Sequence, residues 1–159
     1  MTSELEILRA NINACGQRIQ KLAYSLNKTQ PLFPMTREQI QSLTDEQEES
    51  IDALILRYSQ CVSMIQDHIF LGVAFVEQED LIDKSNRDKT LLMEKLGAIR
   101  SADEFGTAAI LRNKFSHHYP EEVDLRLARL NLIIEESKFV IATFDEITRF
   151  LIRKGFLAS

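Results

Sequence analysis

The stretch Leu111-Arg112-Asn113-Lys114-Phe115-Ser116-His117-His118-Tyr119-Pro120 concentrates the side chains of this sequence that can do chemistry. Arg112 offers a planar guanidinium that stays charged at any working pH and matches anionic oxygens. His117 and His118 titrate near neutrality and can take up or release a proton. Asn113 brings both a donor and an acceptor, and Tyr119 brings a phenol. Pro120 ends the helix that carries them, because it lacks an N–H and restricts the residue before it. Any chemistry of the chain is expected at this helix end.

The face occupied by Arg112 narrows that expectation. At about 100° per residue, Arg112 projects nearly the same way as Phe105, with Ala108, Phe115 and Tyr119 on that side. An arginine on the apolar side of a helix is paired within the fold, faces a cleft, or faces a partner subunit, because an unpaired buried charge is very costly. His117 points roughly to the opposite side of a regular helix. The two converge only if the last turn loosens before Pro120, or if a second copy of the chain supplies the other residue. That facing problem points to a dimer. His118 falls near the Leu111 side, where packing or orienting is its expected role.

The elements that must position these residues are helical throughout. The chain has 159 residues, 45% of them hydrophobic, which fits one domain over 1–159 with a core that needs no disulfide or metal. Its formal charge of −5 excludes a global basic field for nucleic acid, so RNA binding requires a local basic cluster. Cys15 and Cys61 lie on apolar stripes and read as reduced core residues of a cytoplasmic protein. No CxxC and no Cys/His group at zinc spacing occurs, so no metal or cofactor is expected. The acidic N-terminus is unlike a signal peptide, and no apolar run is long enough for a membrane span.

Leu5, Leu8, Ile12, Cys15, Ile19, Leu22 and Leu26 step by threes and fours, predicting a first helix from Ser3 to Asn27 with Ser3 and Glu6 as a capping box. Lys28 to Met35, with Pro31 and Pro34, reads as a connector, and Thr36 as the cap of a short helix. A second long helix starts near Thr44, its acidic run Asp45-Glu46-Gln47-Glu48-Glu49 taken as a solvated first turn. From Ile51 to Phe75 it is apolar nearly all round, with Arg57, Gln66, Asp67 and His68 as polar exceptions. His68 reads as a structural histidine. Glu77 to Arg87 reads as a loop. Asp88-Lys89-Thr90 opens a short helix that weakens at Gly97, and Ser101 caps the motif helix. Val123, Leu127, Leu130, Ile134, Ile141, Phe144 and Leu151 line a last helix ended by Gly155. The expected fold is an all-α up-and-down bundle of about four long helices and one or two short ones.

Arg112-x4-His117-x-Tyr119, with Asn113 directly after the arginine, resembles the signature of the HEPN superfamily. More narrowly it is similar to the HepT-like toxins of MNT–HEPN toxin–antitoxin systems, long grouped with nucleotidyltransferase substrate-binding proteins. Ile51-Asp52-Ala53-Leu54-Ile55-Leu56-Arg57-Tyr58-Ser59 resembles that family's arginine-aromatic segment, Leu92 to Ile99 the segment before its motif helix, and Tyr119-Pro120 its usual motif ending. The likeness spans roughly Ile51 to Leu151. Relatives often carry an acidic residue where this chain has Ser63, a tryptophan where it has Phe105, and some a further arginine near Ala109.

The resemblance implies metal-independent endoribonuclease chemistry. Arg112 would stabilise charge on the phosphate oxygens while His117 moves the proton. Asn113, Lys114 and His118 would support them, with Arg100 and Lys114 adding local positive charge for the RNA backbone. A homodimer cleft would let two copies of His117 divide the acid and base roles. The implied partners are a second copy, RNA rather than DNA, and an MNT-type nucleotidyltransferase antitoxin that transfers AMP to Tyr119. The alternatives are a non-catalytic nucleotide- or substrate-binding subunit of a minimal nucleotidyltransferase, and a structural dimerisation bundle with Arg112 and Tyr119 as interface polar groups.

Overall fold

The computed structural model describes residues 3–117 and 122–159, and of His117 only the backbone. Those residues form an all-α bundle with no strand among them. In chain order the helices are α1 (Glu4–Thr29), α2 (Arg37–Gln41), α3 (Asp45–Met64), α4 (Phe70–Val76), α5 (Asn86–Leu96), α6 (Ala102–His117) and α7 (Val123–Arg153). A 3₁₀ turn at Gln30–Leu32 follows α1, and a π-helical turn at Ile65–Ile69 joins α3 to α4 without a break.

The α1 seam is the core stripe that its spacing predicts. Leu8, Cys15 and Leu22 are fully buried, and α1 packs against α3, α4 and α7. The approach to α4 is close. A Cβ on Gly72 would lie 2.9 Å from Leu8 Cδ1, so only glycine fits there without displacing the leucine. The Ser3 hydroxyl caps α1 by accepting the Glu6 N–H at 3.1 Å. Two complete capping boxes start α2 and α3, with Gln39 and Gln47 rather than glutamates answering Thr36 and Thr44. Helix α1 runs on to Thr29, and α5 starts at Asn86 under a Ser85 cap, before the expected Asp88.

Three ties hold α3 and α4 to the helices that follow. The Tyr58 hydroxyl donates to the Ala108 carbonyl at 2.6 Å in a buried setting. The Phe70 and Phe105 rings stack at 4.9 Å, tilted by 59°. Arg126 grips Glu48 through both carboxylate oxygens, at 2.7 and 3.3 Å. The acidic opening of α3 is therefore not wholly solvated, since Glu48 is spent on α7. His68, expected to be structural, is exposed on the π-turn.

The N-terminal end of α6 is fastened at several points. Gly97 ends α5 in the left-handed region at φ 86°, where the absent Cβ removes the strain. Glu94 Oε2 then accepts the Ala102 N–H at 2.7 Å, the Ser101 hydroxyl accepts that of Glu104 at 3.1 Å, and Arg87 pairs with Asp103 at 2.9 Å. Glu146 of α7 accepts the Arg100 N–H at 2.7 Å. The motif helix is thus fixed where it starts and delivers its chemistry-bearing residues at the far end.

Candidate functional site

Phe105 and Ala108 are fully buried on the inner face of α6, and Arg112 continues that face where it meets α3 and the π-turn. Its guanidinium is partly buried and spans three acceptors. Nη1 donates to Ser63 Oγ at 2.9 Å, and Nη2 donates to Gln66 Oε1 at 2.9 Å. Nε donates to Asn113 Oδ1 at 3.1 Å. Arg112 is therefore paired within the fold, by neutral groups. No carboxylate forms an ion pair with it among the described residues. Three of the five guanidinium N–H groups are engaged by described residues.

Among the described residues this is a held cation without a carboxylate partner. Hydroxyl and amide oxygens satisfy donors without cancelling the charge, and partial burial strengthens its field relative to water. The field reaches Tyr58, where it opposes the upward shift that burial and the Glu136 carboxylate impose on the phenol. The phenol stays protonated and keeps its bond to Ala108.

Asn113 is exposed and orients Arg112 from the next position along the helix. Its own carbonyl accepts from the Ser116 hydroxyl at 3.0 Å, tightening the last turn. Lys114 is exposed and faces solvent, while its carbonyl accepts from Arg129 Nη1 of α7 at 3.4 Å. Arg112, Lys114 and Arg129 bring three cationic side chains to the end of α6 within an acidic chain. Of the other expected site residues, His117 lies in the last turn of α6 by its backbone, and its side chain is outside the described residues. His118 and Tyr119 are also outside them.

Three contributors escaped sequence reasoning. They are Ser63 and Gln66 on α3 and the π-turn, and Arg129 on α7. The signal available for Ser63 and Gln66 was their spacing of three on a helix otherwise apolar nearly all round, which puts both on one face. Nothing in the local pattern marks Arg129, because its acceptor, the Lys114 carbonyl, lies on another helix 15 positions away.

Comparison with protein-family models, with curated proteins and with solved structures finds no match for this chain. The functional reading therefore stands on the motif and on the geometry around Arg112.

Proposed function

We propose that this chain is the toxin of a HEPN–nucleotidyltransferase pair, a metal-independent endoribonuclease whose site is completed in a homodimer. The observation that supports the reading is the Arg112 seat: a partly buried guanidinium held by Ser63, Gln66 and Asn113, with no carboxylate paired to it among the described residues. A phosphodiester is the ligand that such a fork suits best.

In the proposed reaction the ribose 2′-oxygen attacks the adjacent phosphorus and the P–O5′ bond breaks, leaving a 2′,3′-cyclic phosphate. Negative charge builds on the non-bridging oxygens, where the Arg112 guanidinium stabilises it. One proton leaves the 2′-hydroxyl and one must reach the departing 5′-oxygen. His117 from each of two copies takes one of these roles, since a single imidazole cannot be free base and charged acid together. Lys114 supplies backbone charge outside the reacting centre. AMP carried on Tyr119 by a partner nucleotidyltransferase would set a competing phosphate beside this motif and silence it.

The test is cleavage of total RNA by purified protein in EDTA, beside Arg112→Ala and His117→Ala. The expected result is cleavage that survives chelation and is lost in both variants. A folded, unmodified wild type that binds RNA without cutting it overturns the nuclease and leaves Arg112 as the phosphate anchor of a nucleotidyltransferase's binding subunit. For Tyr119, mass spectrometry of chain co-expressed with the partner is expected to find added AMP, and a bare peptide would remove the antitoxin step.

A further inference from the structure

We propose that Gln66 is a positioning residue for Arg112, and that the π-turn Ile65–Ile69 is what turns it toward the guanidinium. The consequence for catalysis rests on the nuclease reading above, whereas the seat itself does not.

Helix α3 carries the first of the Arg112 acceptors. Ser63 lies in its last regular turn, and the π-turn opens two residues later, closed by the Phe70 N–H on the Ile65 carbonyl. A π-turn winds more residues per turn than an α-helix, so it re-aims the side chains it carries, and such turns recur where a helix serves a site. Gln66 is 4% exposed, although its neighbours Asp67 and His68 are exposed. A buried amide must be hydrogen-bonded, and its Oε1 is committed to Arg112 Nη2 at 2.9 Å. Ser63 holds the other Nη nitrogen at 2.9 Å. Two acceptors on separate nitrogens fix the guanidinium plane as one could not, and they do so from a helix anchored to α6 by the Tyr58 and Phe70 contacts.

The choice of glutamine has a chemical meaning. A carboxylate in the same place would orient Arg112 equally well, but as a charge-assisted pair that spends the cation. An apolar residue of the same size would leave the charge but remove one of the three acceptors, so that the guanidinium plane is held less firmly by Ser63 and Asn113. Glutamine gives orientation and keeps the charge. The two failures are separable, and that makes the role testable.

The experiment compares wild type, Gln66→Glu, Gln66→Leu and Arg112→Ala, each checked for folding by thermal unfolding. The readouts are the side-chain ¹⁵N–¹H resonances of Arg112, binding of a non-cleavable 2′-O-methyl oligouridylate across salt concentrations, and RNA cleavage. Gln66→Leu is expected to release the hindered Arg112 guanidinium in the spectrum. It should lower kcat about tenfold while KM moves less than about twofold, because a mobile cation still attracts RNA but no longer meets the reacting phosphate. Gln66→Glu is expected to keep the guanidinium hindered, weaken oligouridylate binding about tenfold, and lower the salt slope by roughly one counterion. An Arg112 resonance unchanged in Gln66→Leu, or Gln66→Glu binding as tightly as wild type, overturns the proposal. If Arg112→Ala binds and cleaves like wild type, the phosphate reading fails instead, and the spectrum alone still decides whether Gln66 holds Arg112.

Discussion

Arg112 and Arg126 both reach α3 from another helix, and both are partly buried, yet their surroundings differ in charge. Arg126 lies on Glu48 through two bonds, at 2.7 and 3.3 Å, with its side chain 19% exposed. Its cation is cancelled, and the pair acts as a tie between α7 and the start of α3. Arg112 lies on a hydroxyl and two side-chain amides, and its cation is kept. Removing the first should disturb the fold, and removing the second should disturb whatever the charge is for.

The largest expected effect is on activity. Arg112→Ala should reduce RNA cleavage by about 10²–10³-fold, the range for loss of one preorganised charge donor. It removes no carboxylate's partner but leaves the buried Gln66 amide oxygen without its donor, so a modest loss of about 1 kcal/mol in unfolding is expected. A large fall in Tm together with the loss of activity would make Arg112 another tie like Arg126. Arg126→Met is the mirror experiment. It strands Glu48 and should cost roughly 1–2 kcal/mol in urea unfolding, moderated by the solvent still reaching the pair. Cleavage by the folded variant should remain within about twofold of wild type.

A smaller effect tests what joins the two helices beneath Arg112. Tyr58→Phe deletes a buried bond to the Ala108 carbonyl and should cost about 1 kcal/mol in the same assay. Because burial holds the phenol protonated well above its ordinary range, that loss should not vary with pH below 9 or so.

The smallest effect concerns Glu136, a carboxyl that forms no ion pair among the described residues. Its Oε2 is buried without a partner among the described residues. Burial, then repulsion from Glu104, raises its pKa above the ordinary 4.5. Between those two values the folded state binds more protons than the unfolded one, so stability falls as pH rises through that window. Glu136→Gln should remove this slope and gain roughly 0.5 kcal/mol at neutral pH, small because the rest of the side chain meets solvent. The gain should vanish in acid, and urea titrations at several pH values read it directly.

Most of the helices were legible because each carries its own evidence. The threes-and-fours spacing in α1 and α7 needs no partner to be read, and Ser3, Thr36, Thr44 and Ser101 announce helix starts by side-chain chemistry alone. Gly97 and Gly155 mark ends for the same local reason. The π-turn was not legible, since the polar run Gln66-Asp67-His68 within Ile65–Ile69 is equally compatible with an ordinary α-helical turn. Glu48 was misread as solvated because its partner lies 78 positions away. At the candidate site the facing of Arg112 was readable from helical periodicity, whereas the identity of its acceptors was not. His118, Tyr119 and the His117 side chain lie outside the described residues.

By itself, then, the sequence determined the all-α class, the order and approximate ends of the helices, and the gathering of Arg112, Asn113, Lys114 and His117 at one helix end. Those properties depend on neighbours within a few turns, where spacing and intrinsic geometry dominate. Tertiary structure alone decided that Arg112 meets Ser63 and Gln66 while Arg126 meets Glu48. Which oxygen an arginine finds depends on how whole helices cross, and that follows from core packing between segments far apart in the chain.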